Sequence, residues 1–217
     1  MQQLFLLLSF LFFQGQEAKA QKMNIIQAVE KGRTEQVGQE LKKGADVNTT
    51  DKNGRSLLLI ATRNNDLNTA ELLVKHGADV NQQDNIKDSP FLYAGASGYL
   101  PLLKLYLANG ARFDVFNRYN GTALIPACER GHVETVRLLA NTKGFPIDHI
   151  NRIGWTGLLE AVILGDGSEP YIQIVQILVD AGTNVKIADK DGVTPLQHAR
   201  SRGFTQIAGI LEKAAKK

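Results

Sequence analysis

The amino-acid sequence predicts an all-α fold: a solenoid of helix-turn-helix units whose connecting tips are β-turns or short hairpins. Three observations lead to this prediction. One pattern of residues recurs five times, each copy contains two short stretches with helical periodicity, and a glycine follows each second stretch. Because one such unit cannot bury its own apolar face, neighbouring copies have to stack to form a core.

The recurring pattern starts at an Asp or Asn that follows a glycine by seven residues. These leading residues, 33, 33, 34 and 38 positions apart, are Asp51, Asp84, Asn117, Asn151 and Asp189. Five positions later each copy has a hydroxyl residue: Ser56, Ser89, Thr122, Thr156 or Thr194. Five further on each has an alanine: Ala61, Ala94, Ala127, Ala161 or Ala199. This frame divides the chain into six repeats at about 23–50, 51–83, 84–116, 117–150, 151–188 and 189–214.

Each element of the repeat has a physical reason. The Ser or Thr begins the first helix, because its side-chain oxygen can accept a hydrogen bond from a free backbone N–H. Pro90 and Pro195 follow at the first helical position, where a missing N–H costs nothing. The small alanine lets first helices of adjacent repeats approach closely. The second helix is amphipathic, and the glycine after it is expected to end it with a positive φ.

The first and last repeats differ from the others in a way that suits terminal caps. The first has no tip and begins directly with the helical stretch at 24–32, and its second helix is polar. The last repeat ends in Glu212, Lys213 and the segment AAKK. We therefore expect residues 21–217 to form a single repeat domain with polar outer faces.

Two segments carry a resemblance to a known family. Asp191–Ala199, DGVTPLQHA, is close to the T-P-L-H-x-A signature of ankyrin repeats, and GHVETVRLL at 131–139 is similar to their second helix. The chain resembles the ankyrin repeat family over about residues 23–213, and it is also similar to a group of secreted bacterial ankyrin proteins. The resemblance implies a monomeric, non-catalytic scaffold that binds a protein partner through its concave face and turn tips, without cofactor or metal.

The resemblance also implies where a partner would bind. In the family, variable contact positions lie directly before the leading Asp or Asn and one, two, four, twelve and thirteen residues after it. In repeats three to five many of these positions are apolar, aromatic or Arg, which are residue types that mark interaction sites. The predicted partner-binding residues are Ile86, Phe116, Arg118, Tyr119, Arg130, Arg152, Ile153, Trp155, Ile163 and Leu164. The alternative is that several of them pack together along the tips and only stiffen the array.

The N-terminus predicts export. Leu4–Phe13 is a ten-residue apolar run, too short to span a bilayer as a helix, and Ala18 and Ala20 form an A-x-A cleavage pattern. We expect a signal peptide at 1–20, a cut between Ala20 and Gln21, and a periplasmic or secreted mature chain without a membrane anchor. No Lys or Arg precedes the run, which is unusual for a signal peptide. The alternative is a buried N-terminal helix.

Composition argues against several other classes of function. The formal net charge of +3 is too small for a general nucleic-acid binder, and one cysteine excludes a disulfide framework or a cysteine-rich zinc site. The alternative is an enzyme or ligand-processing protein that would use Glu160, His198 and Asp166. We expect Cys128 to be a buried, inert thiol. Glu160 and His198 occupy equivalent positions on neighbouring first helices, so they either pair with each other or point to solvent.

Overall fold

The computed structural model describes residues 24–216, and the predicted signal peptide lies outside them. Within the described residues the chain forms twelve helices: α1 (Ile25–Glu30), α2 (Thr34–Lys42), α3 (Leu57–Arg63), α4 (Leu67–Lys75), α5 (Pro90–Ala96), α6 (Leu100–Ala108), α7 (Leu124–Glu129), α8 (Val133–Ala140), α9 (Gly157–Ile163), α10 (Glu169–Asp180), α11 (Pro195–Ser201) and α12 (Thr205–Ala215). Each of the six predicted intervals contains one helix pair. This confirms the all-α solenoid.

The helices form two layers. The odd-numbered helices, which are the first of each pair, stack on one another along the array and form what we call the inner layer. The even-numbered helices stack behind them and form the outer layer. The alanine of the repeat pattern is fully buried in all five copies, at Ala61, Ala94, Ala127, Ala161 and Ala199. A side chain this small allows the first helices to pack closely, and this close packing makes the inner layer continuous.

The leading Asp or Asn builds the tip of each repeat. In repeat two the Asp51 carboxylate accepts hydrogen bonds from the backbone N–H groups of Asn53 at 2.8 Å and Arg55 at 2.9 Å. The same two bonds recur at Asp84, Asn117, Asn151 and Asp189. Each leading side chain therefore closes its own tip with two hydrogen bonds, and the tips are turns. Among residues 24–216 the only strand-like pairing is one isolated bridge, between Thr50 and Ser56.

The tips also bond to their neighbours. The Asn85 N–H donates to the Asn53 carbonyl at 3.1 Å, and the Arg152 N–H donates to the Tyr119 carbonyl at 2.8 Å. These bonds run between repeats two and three and between repeats four and five. Because backbone atoms make them, they fix the spacing of the tips whatever side chains the tips carry.

Four of the five predicted helix caps form, and the fifth does not. Ser56, Ser89, Thr156 and Thr194 each accept a bond from the N–H three residues later. Thr122 was also expected to cap, but α7 begins only at Leu124, and the buried Thr122 hydroxyl has no partner within the described residues. The cause is Pro126. In the other repeats the residue at this position donates its N–H to the carbonyl of the cap, whereas proline has no N–H.

Gly95 lies at a close contact between two helices of the inner layer. A Cβ atom added to Gly95 in α5 would lie 2.6 Å from the Ala123 Cβ and 3.2 Å from the Ala123 carbonyl oxygen. We expect Gly95→Ala to lower the free energy of unfolding by about 1–3 kcal/mol, because overpacking outweighs the better helix propensity of alanine. Urea unfolding followed by circular dichroism measures the change.

Gly209→Ala is the matched control. Gly209 also lies within a helix, α12, but nothing lies within 4 Å of an added Cβ. At this position only the better helix propensity of alanine acts, so the free energy of unfolding should rise by roughly 0.5–1 kcal/mol. Equal changes in both variants would show that repeats three and four are not in close contact at Gly95.

Candidate partner-binding face

Two adjoining grooves lie on the inner face, between the tips and the first helices of repeats two to five. The arginine groove has a volume of about 370 Å³ and is lined by residues that include Arg63, Ile86, Asp88, Tyr93, Arg118 and Arg130. The aliphatic groove has a volume of about 360 Å³ and is lined by residues that include Ile125, Ile153, Glu160 and Leu164. The two grooves share a wall, which is formed by Asn117, Arg118, Tyr119, Pro126, Glu129 and Arg130. Neither groove uses a second helix.

The inner face concentrates the exposed apolar surface of the array. Among the described residues the large hydrophobic side chains with the greatest exposure are Ile86 at 51%, Tyr119 at 54%, Ile150 at 45%, Ile153 at 47% and Leu164 at 48%. Four of the five line the grooves, and Ile150 does not. Contiguous apolar surface of this kind is unfavourable in water and marks interaction sites.

Three arginines converge on the arginine groove, and each is held in place. The Arg63 guanidinium lies 4.7 Å from the ring centre of Tyr93, and the Arg118 guanidinium lies 4.9 Å from that of Tyr119. Arg130 donates from Nη1 to the Ala96 carbonyl at 2.6 Å. Stacking and hydrogen bonding restrict the three side chains while leaving N–H donors free.

Asp88 is the carboxylate nearest to these arginines, and its ion pairs are loose. Its oxygens lie 3.9 Å from Arg63 Nη1 and 3.7 Å from Arg118 Nη1. Burial and the neighbouring Asp84 raise the pKa of Asp88, and Arg118, Arg63 and Arg130 oppose that rise. The Asp88 side chain is only 18% exposed, whereas Arg63 and Arg118 are 36% and 49% exposed. Glu129 is the second carboxylate of this groove, so three arginines face two acids and the groove carries a net positive charge.

Glu160 is the buried acid of the aliphatic groove. Its side chain is 5% exposed, and its Oε1 accepts a hydrogen bond from Asn151 Nδ2 at 3.0 Å. Burial, followed by the negative charge of Glu129, raises the pKa of Glu160 to about 7. The groove therefore contains a carboxyl group that changes its charge near neutral pH.

Comparison with known proteins identifies the family of this chain. The model of the family "Ankyrin repeats (3 copies)" matches residues 5–84, 25–117 and 91–185. This chain belongs to the ankyrin repeat family. The ankyrin repeat protein YahD of Escherichia coli K12 is 37% identical over 185 residues, which cover 85% of this chain and 92% of YahD.

Solved structures agree with this assignment. The crystal structure of an ankyrin repeat domain from Acinetobacter baumannii AYE is similar with a TM-score of 0.86 and 49% identity, over 88% of this chain and 97% of that one. A second crystal structure of an ankyrin repeat protein has a TM-score of 0.84 and 38% identity, over 87% and 96% of the two chains. Ankyrin arrays are in general non-catalytic scaffolds for protein–protein interaction, so membership of this family implies a protein partner.

The two grooves contain six of the ten predicted site residues. These are Ile86, Arg118, Tyr119, Arg130, Ile153 and Leu164, all of which line one or both grooves. The other four lie outside the grooves. Phe116 stacks on the His149 ring at 4.3 Å, Trp155 and Ile163 are half-buried, and Arg152 is exposed at the tip, where its carbonyl accepts from Lys190. The residues that line the grooves are therefore separate from those that pack within the tips.

The residues of the catalytic alternative are not brought together. His198 pairs with Asp189 at 2.7 Å and Glu160 pairs with Asn151, so the Glu160–His198 contact considered above does not form. Each side chain instead reaches back nine residues to the leading residue of its own repeat. Asp166 lies in an exposed loop, and Cys128 is fully buried, which raises the pKa of its thiol.

Within residues 24–216, no group of three acidic, His or Cys side chains could hold a metal ion. No helix in this part of the chain has the length and apolarity to span a bilayer.

Sequence reasoning missed part of the inner face. Tyr93 and Pro126 line the grooves from the position directly before the alanine, which was not among the family contact positions carried over. A signal was present in the varied residue types at this position, which holds Ile60, Tyr93, Pro126, Glu160 and His198 in successive repeats. Asp88 and Arg63 do occupy contact positions, but in the sequence they are ordinary surface charges.

Proposed function

We propose that this ankyrin array binds a protein partner in the arginine and aliphatic grooves of repeats two to five. The observation that supports this most strongly is the alignment of Ile86, Tyr119, Ile153 and Leu164, all about half exposed, along one inner face. Beside them stand three arginines that are already restricted, so binding costs little further side-chain entropy. The tips that carry Ile86, Tyr119 and Ile153 are each joined by a backbone hydrogen bond to one neighbouring tip, which suits a preformed binding surface.

Photo-crosslinking tests the location of this site. A benzoyl-phenylalanine introduced at Tyr119 is close in shape to tyrosine and lies on the wall shared by the two grooves. Irradiation in cells should link position 119 to a partner, which mass spectrometry then identifies. The same residue at Arg137, exposed on α8 in the outer layer, is the control and should give no such adduct. Adducts from position 137 alone would move the site to the back of the array.

We also propose that the array works outside the cytoplasm, in the periplasm or in the surrounding medium. The support is the apolar run Leu4–Phe13 followed by Ala18 and Ala20. A fusion of residues 1–25 to a reporter should be exported and cut after Ala20, and Leu8→Arg should block export because a charge interrupts the apolar run. An intact wild-type fusion that stays in the cytosol would contradict this part of the proposal and leave the binding site untouched.

A further inference from the structure

We infer that the partner presents an extended acidic-aliphatic peptide, with the carboxylate of an Asp or Glu in the arginine groove and an aliphatic side chain in the aliphatic groove. This inference rests on the proposed function and specifies the chemistry of its ligand.

The accessible charge of the arginine groove selects a carboxylate. Arg63, Arg118 and Arg130 face two carboxylates, Asp88 and Glu129, and Asp88 is mostly covered. The distances of 3.7 Å and 3.9 Å from Asp88 to two of the guanidinium groups exceed hydrogen-bonding distance. The arginines therefore keep N–H donors for a ligand, and planar guanidinium groups match a carboxylate in paired hydrogen bonds.

The aliphatic groove suits a side chain without charge. Arg118 and Arg130 line it as well as the arginine groove, and Glu129 and Glu160 offset their positive charge, whereas Ile125, Ile153 and Leu164 supply apolar surface. A nucleic acid or any other chain with a charge at each unit would place a negative group against this apolar surface. A peptide with one acidic and one aliphatic residue satisfies both grooves, because each side chain meets its own chemistry.

The spacing of the repeats sets the spacing of the motif. Adjacent repeats stack about 10 Å apart, and an extended peptide advances about 3.3 Å per residue. The arginine groove extends over repeats two to four, the aliphatic groove extends over repeats four and five, and they share the wall of repeat four. The aliphatic residue should therefore follow, or precede, the acidic residue by three positions.

Fluorescence polarisation with synthetic peptides tests this inference on the folded chain. Each labelled peptide carries one Glu and one Leu in a Ser/Gly background, with the Leu at the first to the fifth position on either side of the Glu. We expect the tightest binding at a separation of three, and at least tenfold weaker binding when Lys or Gln replaces the Glu. Equal binding of the Glu and Lys peptides, or of all separations, would overturn the inference.

A matched pair of variants assigns the selectivity to the groove. Arg63→Gln/Arg130→Gln should abolish the preference for Glu over Gln, and Leu164→Ala should weaken the peptides that contain Leu. The control Arg112→Gln/Arg137→Gln removes the same charge from exposed side chains outside both grooves and should change binding less than twofold. Thermal unfolding verifies that all variants are folded. Equal losses in the groove and control variants would reduce the effect to net charge and overturn the inference.

Two further results separate this inference from the proposed function. A phosphoserine peptide that binds more tightly than its Glu counterpart would replace the carboxylate by a phosphate as the ligand. If no peptide binds while position 119 still crosslinks to a folded partner, the inference is wrong but the groove remains the binding site. If position 119 gives no adduct, the proposed function itself fails.

Discussion

Glu160→Gln should raise the free energy of unfolding by on the order of 2–3 kcal/mol above pH 7 and leave it nearly unchanged below pH 4.5. Burial and Glu129 raise the pKa of Glu160 from an ordinary 4.5 to about 7, so the folded chain binds this proton more tightly than the unfolded chain does. Below pH 4.5 the carboxyl is protonated in both states and costs little stability. As pH rises from 4.5 to 7, Glu160 lowers the free energy of unfolding by a growing amount. Glutamine removes the charge and keeps an oxygen that accepts from Asn151.

Urea unfolding of both proteins between pH 4 and pH 8.5 measures this effect. The difference between them isolates Glu160, because groups such as Asp88 and His132 titrate in both proteins and cancel. Glu129→Gln is the control: it removes the nearby like charge and should shift the pH dependence to lower pH without abolishing it. A difference that is the same at every pH would show that folding does not change the pKa of Glu160.

Tyr119→Ala combined with Ile153→Ala should weaken partner binding by about 2 kcal/mol or more, roughly thirtyfold in Kd, with little loss of stability. Both side chains are about half exposed, and both line the aliphatic groove. Their removal deletes apolar contact that only a partner completes. Trp155 is left in place because it is half-buried and lines neither groove, so that its removal would also test packing within the tip.

Isothermal titration calorimetry with the crosslinked partner, after its identification, measures the change in affinity. The control is Glu134→Ala/Arg137→Ala, an exposed ion pair of α8 in the outer layer, which should alter neither binding nor stability by more than about 0.5 kcal/mol. If the groove variant unfolds while affinity per folded molecule is unchanged, the exposed tips are structural and the binding surface lies elsewhere.

The architecture could be read from the sequence because each of its determinants is local. A Ser or Thr caps a helix through its own side chain, and a glycine ends the next helix with positive φ, as at Gly44 and Gly77. Where one local rule conflicts with another, the prediction fails. Thr122 has the right residue type to cap, but Pro126 four residues later removes the N–H that the first turn requires.

The tips show the same limit in another form. The third position after the leading Asp or Asn requires positive φ, and glycine fills it at Gly54, Gly154 and Gly192. Lys87 and Asn120 adopt φ values of 63° and 57° at that position without being glycine. The hydrogen bonds of the leading side chain impose the conformation there, so the residue at the strained position is not itself a reliable signal.

The sequence by itself determined the family, the repeat frame and the tips on which a binding face would lie, because these depend on residues within one repeat. Only the tertiary structure decided which tip side chains meet. Arg63 of repeat two and Arg118 and Arg130 of repeat four converge on Asp88 of repeat three, and Glu160 bonds to Asn151 instead of His198. Contacts between repeats depend on how the first helices stack and where each side chain is directed. Spacing along one chain does not encode that geometry.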